Sequence, residues 1–344
     1  MRLINVETLE LEEFFDEDTP EFAILSHTWG KEEVSFQDLC WVHDYEKNRM
    51  IYASLGDLMS QIGHNMTNKA IAIRQRAGFD KIVQSARLAK ESELNYVWID
   101  TCCIDKASSA ELSEAINSMF RWYQRSAVCF AFLSDVDLRG EGYGGVRFEV
   151  SRWFTRGWTL QELLAPSLVI FYDRHWNAMD TLTSSVARIA GITGIPGDAL
   201  VKTDCLDRYS YADRMSWASK RKTSRKEDMA YCLMGLFEVN MPLLYGEGEK
   251  AFIRLQTEIM KEHGGQSLLA WGYNRSVTER GSFFAPSLAL MGSGKMIEYD
   301  LSGTAPFDLS NKRLEIFLDV LKVPIAGLPG YYYALWDVLK TTDS

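Results

Sequence analysis

Between residues 20 and 172, short apolar runs alternate with stretches of helical period, and this alternation admits few architectures. The runs are residues 21–26 (EFAILS), 96–99 (YVWI), 127–133 (AVCFAFL) and 168–172 (LVIFY). They are apolar at consecutive positions and rich in β-branched and aromatic residues, as strands buried on both faces are. Residues 78–91 place Phe79, Ile82, Val83 and Ala86 on one helical face. Residues 108–124 repeat Leu112, Ala115, Ile116, Met119, Phe120 and Tyr123 at three- and four-residue spacing, behind a Ser108…Glu111 capping-box signal. Strands and helices in this order predict a parallel sheet covered by helices on both sides. Right-handed crossovers bring all the strand C-termini to one edge, with Ser26-His27, Asp100-Thr101 and Ser134-Asp135 along it. Ligands of open α/β sheets bind at that edge.

The rest of the chain is less regular. Residues 2–7 read as a short strand, and residues 43–68 show no clear period and read as a long insert or lid. Residues 139–145 (RGEGYGG) read as a glycine-rich loop. Residues 151–164 read as one or two helical turns broken at Gly157. Residues 178–263 are mostly helical in pattern. A Ser224…Glu227 capping-box signal precedes Met229, Cys232, Leu233 and Leu236, and a long helix is expected over 248–261. Beyond Gly264, Gly, Ser and Pro become frequent and short alternating runs such as 313–318 (RLEIFL) predict a small β-rich region. The expected domains are an α/β core at 1–175, a helical extension at 176–264 and the β-rich region at 265–344.

Composition excludes some functions. A net charge of −10 argues against an extended nucleic-acid surface, although Lys220, Arg221, Lys222, Arg225 and Lys226 form a local basic cluster. The six cysteines (40, 102, 103, 129, 205 and 232) make no CxxC pair, and several sit in apolar runs; they read as reduced thiols of a cytoplasmic protein. The first residues, MRLINVETLELEEFFDED, lack the pattern of a signal peptide, and no apolar run is long enough to span a bilayer.

Four clusters could carry chemistry. The first, Ser26-His27-Thr28-Trp29-Gly30, ends a buried strand and reads either as a ligand edge or as a capped turn. The second is Asp100 with Cys102 and Cys103. Adjacent cysteines point to opposite faces when extended, so no metal site is expected. Buried thiols, or a Cys102 nucleophile paired with His27, are the two readings there. The third is SRWFTRGWTLQELLAP (151–166), in which Glu162 follows Trp158 by four residues and shares its helical face. It reads as a core helix or as a carboxylate beside an aromatic platform. The fourth is glycine-rich: 139–145 and 244–250 (LYGEGEK) both lack the spacing of phosphate-binding loops.

Taken together, MRLINVETLELEEF, FAILSHTWG, YVWIDTCCIDK, SSAELSEAINSMFRWYQRSAVCFAFLSDV and RGWTLQELLAP resemble the HET domain of fungal heterokaryon-incompatibility proteins, over roughly residues 1–270. HET domains are in turn distantly similar to TIR domains. The resemblance implies a TIR-like, flavodoxin-like parallel sheet, a role in programmed cell death and fungal innate immunity, and self-association. SRWFTRGWTLQELL resembles the TIR segment whose glutamate cleaves NAD, which makes Glu162 the implied catalytic residue. NAD is then the substrate and no other cofactor is implied. By their proximity in the expected fold, the nucleotide-binding residues would be Ser26, His27, Trp29, Asp100, Cys102, Arg156 and Trp158, with Trp29 or Trp158 stacking on a ring and Arg152 or Arg156 meeting the pyrophosphate. A non-enzymatic, self-associating adaptor is the alternative.

Overall fold

Seven strands form one mixed sheet, and only its centre is parallel. The computed structural model describes residues 1–54, 56–139, 145–201, 203–263, 267–268 and 284–291, and the backbone of short strands at 297–298, 307–310, 313–316, 319–321, 333–335 and 338–339. It divides into two compact units, Met1–Ile192 and Thr193–Ser344.

The first unit runs β1 (Arg2–Asn5), β2 (Leu11–Glu13), β3 (Ala23–His27), α1 (Phe36–Ser54), α2 (Gly56–Arg74), α3 (Ala77–Glu91), β4 (Tyr96–Trp98), α4 (Ser109–Arg125), β5 (Val128–Phe132), α5 (Thr159–Leu164), β6 (Val169–Tyr172) and β7 (Ala178–Thr181). The strand order is β2-β1-β4-β3-β5-β6-β7. The four central strands β4, β3, β5 and β6 are parallel, as the apolar runs require. The wholly parallel sheet expected from the sequence is corrected at both margins. There β1 pairs antiparallel with β2 and β4, and β7 antiparallel with β6. These short edge strands are half-buried or exposed over much of their length, so they lack the continuous apolar signature of the centre.

Every residue of β3 and β5 is buried. Consecutive side chains of β3 point to opposite faces, so Ser26 and His27 look into different layers. The strand order reverses direction between β3 and β5, which makes their C-terminal ends a topological switch point.

The Ser108 hydroxyl caps α4 by accepting from the Glu111 N–H, as the spacing predicted. Of residues 43–68, expected to be an insert without period, 43–54 lie in α1 and 56–68 in α2. Polar and aromatic contacts link these two helices: Tyr45 hydroxyl meets Thr67 at 2.7 Å, and the Lys69 ammonium sits 4.3 Å from the Trp41 ring centroid. Such contacts leave no simple apolar stripe to read. The glycine-rich loop at 139–145 falls largely outside the described residues.

Helix α6 (Val186–Thr193) belongs to the first unit but for its last residue; the second unit carries α7 (Gly197–Val201), α8 (Tyr211–Ser216), α9 (Asp228–Tyr231) and α10 (Lys250–His263). The Ser224…Glu227 box does not form. The helix starts at Asp228, and Glu227 instead accepts from the Gly246 and Gly248 N–H groups, both at 2.9 Å. Phe307–Ser310 and Arg313–Ile316 pair antiparallel in the expected β-rich region. Among the described residues no helix is long and apolar enough to cross a membrane.

Gly78 sets the contact between α3 and the segment after β3. A Cβ there would lie 2.6 Å from Val34 N and 2.7 Å from Glu32 O, both rigid backbone atoms. Gly78→Ala is expected to cost about 2 kcal/mol despite alanine's better helix propensity. An unchanged urea-unfolding midpoint would contradict this account.

Candidate functional site

The residues singled out in the sequence gather at the C-terminal edge of the central strands, in two clusters divided by β3. On one side, the Ser26 hydroxyl donates to Glu162 Oε2. Trp153 Nε1–H donates to the same Ser26 oxygen at 2.8 Å. Trp153 and Ser26 are wholly buried and Glu162 is 6% exposed. Glu162 lies on α5, and the Cys129 thiol of β5 approaches its backbone carbonyl at 3.9 Å. Burial pushes the Tyr123 hydroxyl and the Cys129 thiol well up, and the nearby Glu162 carboxylate adds to both shifts.

The segment carrying Glu162 is braced along its length. Ser151 hydroxyl and Arg152 N–H both donate to Asp135, at 2.7 and 2.8 Å, just beyond β5. Arg152 Nη2 reaches Ser134 Oγ at 2.8 Å. A 3-10 turn, Arg152–Thr155, precedes α5, and Thr159 Oγ1 closes back onto the Trp153 and Arg156 carbonyls. The break at Gly157 foreseen from the sequence separates these two turns.

On the other side of β3, His27 Nε2–H donates to Asp100 Oδ1 at 3.1 Å and Trp29 Nε1–H to Asp100 Oδ2 at 2.8 Å. The Lys106 ammonium lies 3.6 Å from the centroid of the half-exposed Trp29 ring. Burial alone would raise the Asp100 carboxyl. The Lys106 charge and the His27 and Trp29 donors outweigh it and hold it at about 2. Glu33 joins this cluster by accepting from Gly30 N–H and from the buried Lys81 of α3. Its burial is likewise outweighed, by the charges of His27 and Lys81, so its carboxyl titrates below the usual range. His27 Nδ1 and Glu33 Oε2 are buried with no hydrogen-bond partner among the described residues.

The structure thus brings Ser26 to Glu162, and His27 and Trp29 to Asp100. Glu162 and Asp100 therefore belong to different hydrogen-bonded clusters. Cys102 is buried with its thiol directed to the Ile99 carbonyl, 3.9 Å away, and burial beside Cys103 pushes that thiol well up. His27 is engaged with Asp100 instead, so the nucleophilic pair of Cys102 and His27 is not assembled. Trp158 and Arg156 are half-buried on the segment leading into α5. Glu33 and Lys81 carry no functional signal in the sequence: Lys81 falls on the opposite side of α3 from the Phe79, Ile82, Val83 and Ala86 face, where a solvated lysine is the ordinary expectation. A cleft of about 340 Å³ opens elsewhere in this unit, walled by Val136, Leu138, Phe148, Met179 and Arg188.

The geometry defines an α/β protein with a buried, oriented glutamate at its strand-order switch point. Residues 22–147 match the family model described as heterokaryon incompatibility protein (HET). The vegetative incompatibility protein HET-E-1 of Podospora anserina is 43% identical over 253 residues, covering 71% of this chain. The chain belongs to the HET domain family. It spans only 16% of the length of that relative. No solved structure matches it.

The Asp100 cluster gives a pH signature. Its carboxyl titrates at about 2 in the fold against an ordinary 3.8, so its stabilisation is complete above pH 4 and lost as the pH falls towards 2. Asp100→Asn should therefore cost about 2 kcal/mol at pH 7, with the gap to the parent closing between pH 4 and pH 2. Urea unfolding across that range checks this, and a gap that stays constant with pH would count against it.

Proposed function

We propose that this HET domain serves heterokaryon incompatibility by hydrolysing NAD at the nicotinamide–ribose bond, with Glu162 as the catalytic carboxylate. The observation that carries the reading is the oriented Glu162 at the edge where β3 and β5 end. Numbered by occurrence, the parallel strands run 2-1-3-4, the start of a flavodoxin-like order, which supports the TIR-like reading of the fold.

The chemistry suits one carboxylate. Most glycosidases need two, because an alkoxide leaving group must be protonated. Nicotinamide leaves from a pyridinium cation as a neutral molecule, taking the bonding pair of the C–N bond. An oxocarbenium ion forms at the ribose carbon, and the Glu162 charge stabilises it. Water then adds to that carbon and releases one proton, giving ADP-ribose and nicotinamide. Trp29, with its indole N–H fixed by Asp100, offers a ring for stacking.

At 6% exposure, Glu162 meets a ribose only when its cover shifts. We assign that opening to self-association of the domain, and cell death to the resulting loss of NAD. The same burial favours the second reading, a self-associating adaptor in which Glu162 is purely structural.

Concentrated protein incubated with NAD decides between the two. Nicotinamide release by the parent should fall at least about 100-fold in Glu162→Gln, with far-UV circular dichroism unchanged. Equal release by both proteins would sink the enzymatic role of Glu162. Absence of release from an assembled parent would favour the adaptor.

A further inference from the structure

We infer that Trp153 and Ser26 are positioning residues for Glu162, acting in series: indole N–H to hydroxyl oxygen, hydroxyl proton to carboxylate. The catalytic consequence rests on the NAD-hydrolase reading above; the relay itself does not.

Chemistry fixes the direction of the relay. An indole nitrogen can only donate, and an ionised carboxylate can only accept. Trp153 Nε1–H therefore occupies a lone pair of Ser26 Oγ, at 2.8 Å. The single Ser26 proton is then left for Glu162 Oε2. A serine hydroxyl ordinarily rotates among partners; here both ends are committed, and Ser26 is wholly buried. This reassigns Ser26. It was expected to hold the nucleotide, but its one donor is already used in orienting the carboxylate.

Trp153 is itself immobilised. Its ring meets Phe154 edge-on at 5.2 Å and Phe171 of β6 at 5.7 Å. Its carbonyl accepts from Thr159 on α5, the helix that carries Glu162. The indole thus ties the carboxylate's orientation to the packing of β6 and α5, and not to the ligand.

Three variants and their combination test the proposal. Ser26→Ala should lower kcat for NAD at least tenfold while KM stays within about twofold, and Ser26→Thr, which keeps a hydroxyl, should recover most of the loss. Trp153→Phe should lower kcat several-fold, and the double variant should be no worse than Ser26→Ala, because Trp153 acts only through Ser26. A raised KM with intact kcat in Ser26→Ala would return Ser26 to substrate binding, and full additivity in the double variant would break the series. A readout independent of activity separates this from the enzyme reading. In protein carrying ¹³C-carboxyl glutamate, the Glu162 resonance is identified by its absence in Glu162→Gln. It should move in both Trp153→Phe and Ser26→Ala. A stationary resonance in folded Ser26→Ala overturns the relay even if the parent cleaves NAD. A moving one upholds the relay even if it does not.

Discussion

A carboxylate drawn almost wholly out of water survives only if donors replace the solvent it loses, and the hydrogen bond from Ser26 to Glu162 supplies one. Much of the first unit is arranged around it. Ser26 must sit next to the end of a fully buried strand, Trp153 must be seated behind it, and α5 must begin where Thr159 can close onto the preceding turn. The Asp135 anchor at Ser151 and Arg152 ties that turn to the end of β5. Removing the Ser26 donor would cost on the order of 1–3 kcal/mol, a sizeable share of a domain's net stability.

The same strand separates two electrostatic environments. One side holds a carboxylate that accepts from the Ser26 hydroxyl; the other holds the formal charges of Lys81, Glu33, Asp100 and Lys106, with the His27 ring among them. Both meet the edge where the strand order reverses, the place at which α/β sheets admit ligands. Trp29 is the half-exposed member of the charged side, and its contacts to Asp100 and Lys106 fix it in one orientation.

Burial on both faces made the central strands legible, since a two-sided strand has no polar alternation to blur it. The capped α4 was legible for a different reason: Ser108 and Glu111 are local and need no tertiary partner. The edge strands β2 and β7 escaped notice because three or four half-exposed residues carry little pattern. Helices α1 and α2 escaped because a Tyr45–Thr67 hydrogen bond and a Lys69–Trp41 contact link them, not a stripe. At the site, position along each strand was readable and facing was not. Ser26 and His27 are neighbours in sequence, yet strand alternation sends them to different partners, Glu162 and Asp100.

The segment around Gly246 and Gly248 shows how a fold can use up a recognition element internally. Both glycines have positive φ, +103° and +64°, and both backbone amides converge on one oxygen of Glu227. Convergent amides of this kind form the concavity that elsewhere receives a phosphate. Here the chain has bound its own anion. An incoming negative group would have to evict a like charge before gaining a single contact, so the loop acts as an internal clasp closed against nucleotides.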